Sequence, residues 1–166
     1  MVTTQFQGNT VNTTADIPAV GSKAPDFTLV GTDMSEVKLS DFAGQWVLLN
    51  IFPSLDTGVC AASVREFNER AANLSNTVVL NVSMDLPFAQ ARFCGAEGIE
   101  RAQSASAFRS SFGEDYGVRL IDSPMAGLLT RTVVVINPEG EVTYTQLVDE
   151  ITTEPDYQDV MEHLSS

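Results

Sequence analysis

Cysteine, histidine and basic residues are scarce in this chain, and each scarcity excludes something. His163 is the sole histidine, so a histidine-rich metal centre is ruled out, and a Cys–His dyad or Ser-His-Asp triad would depend on that one ring. There are 2 cysteines, Cys60 and Cys94, too far apart for a Cys-x-x-Cys motif or zinc spacing. Only 9 residues are Lys or Arg against 22 Asp or Glu, and beyond Arg131 there is no Lys or Arg at all. The lysines are Lys23 and Lys38. A net charge of −13 removes the basic patches that nucleic acid and anionic membranes require, and it reads as surface solvation. The longest apolar runs, Trp46–Phe52 and Val133–Ile136, fall well short of the roughly 20 residues that span a bilayer. The N-terminus has no charged start followed by an apolar stretch, so the expectation is a cytosolic protein without membrane attachment.

What is present fits one ordinary folded domain over residues 1–166, with 43% hydrophobic and 19% charged residues and no internal repeat or low-complexity linker. Phe6–Val11 predicts a hairpin around Gly8-Asn9, followed by an extended piece from Ile17 to Pro25. Phe27–Val30 and Glu36–Leu39 flank a turn, and Ser40–Gly44 is a helical turn stopped by glycine. Trp46–Phe52 has the continuous apolar character of a strand buried on both faces. A helix follows from an N-cap at Thr57 to about Asn73, then a strand at Thr77–Ser83. Asp85-Leu86-Pro87 opens a second helix, because proline is accepted in a first turn. A short strand at Ser104–Phe108, a helical turn at Ser110–Tyr116, a hairpin of Thr132–Ile136 with Glu141–Val148, and a closing helix at Pro155–Leu164 complete the pattern. The order predicts an α/β fold, a mixed sheet flanked by helices with an N-terminal β-hairpin, in the thioredoxin-like arrangement.

The stretch Phe52-Pro53-Ser54-Leu55-Asp56-Thr57-Gly58-Val59-Cys60 carries the chemistry. It puts a thiol in the first turn of a helix, where unfinished N–H groups and partial positive charge favour the thiolate, the reactive form. At an unperturbed pKa of about 8.5, only roughly 3% of a cysteine is ionised at pH 7. Cys60 also fits as a small buried hydrophobe, four residues before Val64 on the core-facing stripe. Against that, Thr57 can offer its hydroxyl to the sulfur as well as cap the helix, and Pro53 can stiffen the loop and keep water off. The sulfur would emerge at the C-terminal edge of the sheet, where open α/β sheets place their sites.

Cys94 lies on the second helix ahead of Gly95-Ala96-Glu97-Gly98, an end that glycine makes easy to unravel. A crosslink to Cys60 would stabilise by roughly 3–4 kcal/mol in the chain-entropy model, and in a cytosolic setting a reversible bond fits better than a permanent one. Arg131, at a strand entrance, reads either as a surface or snorkelling arginine or as a fixed cation that holds a thiolate. Asp149, Glu150 and Glu154 read as a solvated acidic cluster, and Met125 as pocket lining or core filler.

Three separated motifs resemble the thiol peroxidase subfamily of peroxiredoxins, atypical two-cysteine enzymes. They are Pro53–Cys60 continuing into Ser63-Val64-Arg65-Glu66-Phe67-Asn68, Asp85–Cys94, and Gln146–Thr152. Gly21–Phe27 is similar to that family's lead-in. The resemblance implies that Cys60 is the peroxidatic cysteine and that Thr57 and Arg131 orient peroxide and thiolate, with Pro53 as a shield. It implies that Cys94 resolves the sulfenic acid as an intramolecular Cys60–Cys94 disulfide, which thioredoxin reduces. Hydrogen peroxide and alkyl or lipid hydroperoxides are the implied substrates, a homodimer the implied assembly, and no cofactor or metal is implied. Motion is expected on oxidation, with the first turn around Cys60 and the segment Phe93–Gly98 loosening. Two other readings remain at this point: a thioredoxin-like thiol–disulfide electron carrier, against which the missing Cys-x-x-Cys speaks, and a non-catalytic thioredoxin-fold interaction module.

Overall fold

Strands that lack polar alternation must be covered on both faces, and the chain puts them at the centre of its sheet. The computed structural model describes residues 2–71, 74–99 and 102–165. The first half contains β1 (Thr3–Phe6), β2 (Asn9–Asn12), β3 (Thr28–Gly31), β4 (Glu36–Lys38), β5 (Trp46–Ile51), α1 (Gly58–Ala71) and β6 (Thr77–Ser83). Then come α2 (Pro87–Glu97), β7 (Ala102–Ser106), α3 (Phe112–Asp115), β8 (Thr132–Ile136), β9 (Val142–Leu147) and α4 (Tyr157–Ser165). A 3-10 turn at Leu39–Phe42 precedes β5.

β1 and β2 pair by themselves, and the other strands form one mixed sheet in the order β4-β3-β7-β6-β5-β8-β9. The mixed-sheet, thioredoxin-like α/β fold with an N-terminal hairpin expected from the sequence is the fold observed. The hairpin turn is displaced by one residue, to Gln7-Gly8, whose φ angles are 52° and 82°. Two-residue hairpin loops need positive φ at both central positions, and glycine supplies one without strain. β7 starts two residues earlier than expected, and α4 starts at Tyr157 rather than Pro155. The expected end of α1 at Asn73 lies outside the described residues.

Period-2 alternation sorts the sheet residues into two cores. Leu49, Ile51, Leu80, Val82 and Val134 face Phe27, Phe112 and Tyr116 on one side. Leu48, Val79, Val133 and Val135 face Phe67 of α1 and Val160 of α4 on the other. Phe67 is fully buried, and truncating such a ring to alanine costs about 3–5 kcal/mol. Met125, left between two readings by the sequence, packs against Val11, Leu120 and Ile151.

Strand direction decides which loops meet. β5, β6 and β7 run parallel, with Ile51 opposite Val82 and Val82 opposite Ala105, so all three release the chain at one edge. β8 is antiparallel to β5, with Ile51 opposite Thr132, so the chain that enters β8 arrives beside the chain that leaves β5. Asn50 and Asn81 face each other inside the sheet, and Asn50 Nδ2 donates to Asn81 Oδ1 at 2.9 Å and to Ser63 Oγ at 3.3 Å.

Candidate active site

Beyond Ile51 the chain turns through residues 52–57 into α1, and backbone hydrogen bonds fix the turn. Pro53 is buried within it. The Thr57 N–H and hydroxyl both donate to the Ser54 carbonyl, at 3.3 and 3.1 Å. Thr57 Oγ1 accepts the Cys60 N–H at 3.3 Å, the N-cap bond expected from the sequence. The expected hydroxyl–sulfur contact is corrected, because the Thr57 proton is directed at the Ser54 carbonyl instead.

Cys60 is 0% exposed and lies among Phe52, Leu55 and Val64, with Phe93 and Ile99 packed against the same cluster. It is also held by a cation. Arg131 is 1% exposed, which overturns the surface or snorkelling reading. Its Nη2 donates to Cys60 Sγ at 3.2 Å and its Nε to the Ile151 carbonyl at 2.9 Å. Nη1 is buried without a hydrogen-bond partner among the described residues. A guanidinium removed from water is costly unless its donors are used, and Nη1 is the nitrogen whose donors remain unused here. The contact spans 71 residues, and the β5–β8 pairing closes that distance.

The Ile151 carbonyl is held in turn by the N-terminal hairpin. Gln5 N–H donates to Asp149 O at 2.9 Å, and Ile151 N–H donates to Gln5 O at 2.8 Å. The Glu150 carboxylate accepts the N–H groups of Thr152 (3.0 Å), Gly8 (2.7 Å) and Gln7 (3.2 Å), and the Thr152 hydroxyl (2.9 Å). These donors, the Thr152 N–H foremost, hold the Glu150 carboxyl down to about 2. The solvated-cluster expectation is corrected for Glu150, which is half-buried and ties two segments together.

Cys94 is half-buried on α2, its Sγ 3.4 Å from Ser104 Oγ of β7, beside a groove of about 340 Å³ lined by Gly31, Thr32, Val37 and Gln103. Both cysteines are free thiols, so the crosslink is not formed in this state. Consecutive helical residues point about 100° apart. Phe93 packs on the Cys60 cluster and Cys94 contacts Ser104, so the two sulfurs face different partners. The α2 end turns over at Gly98 (φ 65°), whose N–H closes on the Cys94 carbonyl. An ion pair of 3.1 Å between Arg65 and Glu97 links α1 to this end.

Asp85, which the sequence presents as the start of a helix and of the Asp85–Cys94 motif, is part of the site. Its Oδ1 accepts the Ser54 hydroxyl at 2.8 Å, and its Oδ2 accepts the Leu55 N–H at 2.8 Å and the Ser83 hydroxyl at 2.7 Å. The available signal was an acid directly after a buried parallel strand, at the sheet edge that carries Cys60. His163 takes no part in this arrangement; its Nε2 hydrogen-bonds Thr143 Oγ1 at 2.9 Å.

A buried sulfur at a helix start, addressed by a buried guanidinium at the edge of a thioredoxin-like sheet, defines a redox-thiol protein. The chain belongs to the Redoxin family, whose profile matches residues 19–161. It is 59% identical over 157 residues to the thiol peroxidase of Corynebacterium glutamicum, covering 95% of each chain. It is 61% identical over 153 residues to the thiol peroxidase of Mycobacterium bovis, covering 92% of each. Among solved structures, a peroxiredoxin-like protein from Aquifex aeolicus matches with a TM-score of 0.94 at 39% identity, over 98% of this chain and 95% of that one.

Proposed function

We propose that this chain is a thiol peroxidase that reduces hydroperoxides through Cys60 and resolves through Cys94. The observation that carries the reading is the Arg131 fork, with Nη2 on Cys60 Sγ and a buried Nη1 left without a partner. In the first step the Cys60 thiolate attacks the terminal peroxide oxygen and the O–O bond breaks. The alcohol or water leaves with a proton, and sulfur, oxidised by two electrons, becomes a sulfenic acid. Full ionisation of the thiol accounts for only about thirtyfold over a free cysteine. The remainder comes from donors aimed at the departing oxygen, each worth about 2.7–4 kcal/mol in comparable sites. Arg131 Nη1 fills that role, Thr57 fixes the Cys60 backbone, and Pro53 walls off the turn.

In the second step the Cys94 thiol displaces the sulfenic hydroxyl as water, leaving the Cys60–Cys94 disulfide. A dithiol protein of the thioredoxin type returns both sulfurs to thiols by exchange. Leu55 and Phe93, which pack on the Cys60 cluster and line a groove of about 240 Å³ with Ala89 and Ala96, support alkyl and lipid hydroperoxides over hydrogen peroxide. Leu86 and Phe88, exposed on either side of Pro87, support a homodimer. A cytosolic location completes the reading; no helix among the described residues is long and apolar enough to cross a membrane.

Stopped-flow oxidation of the reduced protein by cumene hydroperoxide tests it. Rapid loss of the Cys60 thiol, followed by one intramolecular disulfide, is the expected result. Oxidation no faster than that of a free cysteine overturns it.

A further inference from the structure

We infer that Asp85 is a positioning residue for peroxide reduction: its carboxylate sets the turn that aims the Cys60 sulfur. The inference rests on the reading of Cys60 as the attacking thiol. One side chain here joins two of the strand ends at the site. Asp85 follows β6, yet its carboxylate receives the Ser54 hydroxyl (2.8 Å) and the Leu55 N–H (2.8 Å) from the turn that follows β5. From Ser54 the connection continues to the sulfur's own residue, since the Ser54 carbonyl accepts both Thr57 donors and Thr57 Oγ1 accepts the Cys60 N–H.

Asp85 is itself anchored from two sides. Its Oδ2 accepts the Ser83 hydroxyl at 2.7 Å, and Ser83 Oγ accepts Gln90 Nε2 at 3.2 Å from the first turns of α2. Its carbonyl accepts the Ser106 hydroxyl at 2.5 Å from the end of β7. The ends of all three parallel strands therefore converge on one residue. A carboxylate suits this position because it only accepts, and each group aimed at it is a donor. Misplacement of a reacting group by about 1 Å costs about a hundredfold in well-positioned sites. Loosening the Ser54–Leu55 turn shifts Cys60 relative to Arg131, whose position is set separately through Ile151.

The test compares wild type with Asp85→Ala, Asp85→Asn and Ser54→Ala. It measures sulfenylation by cumene hydroperoxide and alkylation of Cys60 by monobromobimane, both across pH, with folding checked by circular dichroism. Peroxide oxidation should fall about thirty- to hundredfold in Asp85→Ala, while alkylation stays within about threefold. A purely structural role would lower thermal stability and leave the ratio of the two rates unchanged. Asp85→Asn should recover part of the loss, since an amide oxygen still accepts the Leu55 N–H. Ser54→Ala should lose about three- to tenfold, and the double variant Ser54→Ala/Asp85→Ala less than the product of the two. Should Asp85→Ala not fold, Asp85→Asn and Ser54→Ala decide the question. Folded variants that oxidise at the wild-type rate overturn the role of Asp85. A wild type that reacts like a free thiol overturns the site itself, so the two failures are distinguishable.

Discussion

Around Cys60 the chain is tied at Ser54, Leu55, Thr57 and the Cys60 N–H, and a buried guanidinium holds the sulfur. Around Cys94 the sulfur has one hydrogen-bond partner among the described residues, Ser104 Oγ at 3.4 Å, glycine follows at Gly95 and again at Gly98, and only Pro87 and Gln90 of its helix are buried. Both cysteines lie on helices, and their surroundings differ in the way the proposed two-step reaction requires. Attack on a peroxide gains from a sulfur that needs no rearrangement as charge develops. Disulfide formation needs the opposite, because the two Cα atoms must come within about 7 Å and one helix end has to give way. With both thiols free, the more tightly tied region is where α1 begins and the less tied one is where α2 finishes; loosening on oxidation is expected at both.

The largest test of this contrast exchanges each sulfur for oxygen. Cys60→Ser should abolish peroxide consumption, while Cys94→Ser should give one fast sulfenylation and no disulfide by mass spectrometry. Equal defects in the first step would erase the distinction. Next is Arg131→Lys, which keeps the charge but loses the fork, and sulfenylation should slow about a hundredfold. An unchanged rate would remove Arg131 from the rigid half.

On the yielding side, a Cβ built at Gly95 meets nothing within 4 Å. Gly95→Ala therefore stiffens α2 by about 1 kcal/mol without a clash. The disulfide step should slow about fivefold while sulfenylation keeps its rate, as two-phase stopped-flow would resolve. The smallest effect concerns Glu150, whose carboxyl is held at about 2 against an ordinary value of 4.5. A depressed carboxyl contributes stability that is fully present above its unfolded value and is lost as pH falls through the folded one. The hairpin that supports Ile151 should thus loosen as pH falls from about 4.5 to about 2. Glu150→Gln should flatten that acid dependence in a circular-dichroism titration.

Local signals made the fold and the rigid turn legible. The apolar run of β5, the cap at Thr57 and the proline at the start of α2 are each decided within a few residues. The place of Arg131 was not, because a contact across 71 positions depends on which strands pair and in which direction. Asp85 and Glu150 look like a helix opening and a solvated charge for the same reason. Beside the local donors Ser83 and Thr152, the donors that tie them to the site come from segments 30 and 142 residues away in the chain. Helical periodicity showed which face of α1 is buried and put Ala89 and Phe93 on one face of α2, but not that this face meets the Cys60 cluster.

The buried Asn50–Asn81 pair works as a caliper. A slide of one residue between β5 and β6 would shift their ends by about 3.3 Å and break the Asn50–Asn81 bond, leaving Asn81 only its 3.3 Å bond to the Gln103 carbonyl. The same Asn50 amide reaches Ser63, whose hydroxyl donates to the Cys60 carbonyl at 2.8 Å. One side chain in the middle of the sheet thus gauges both the alignment of two strands and the depth at which α1 is seated. Substitutions at Asn50 or Asn81, remote from any peroxide, would then surface as errors in how far apart the reacting groups stand.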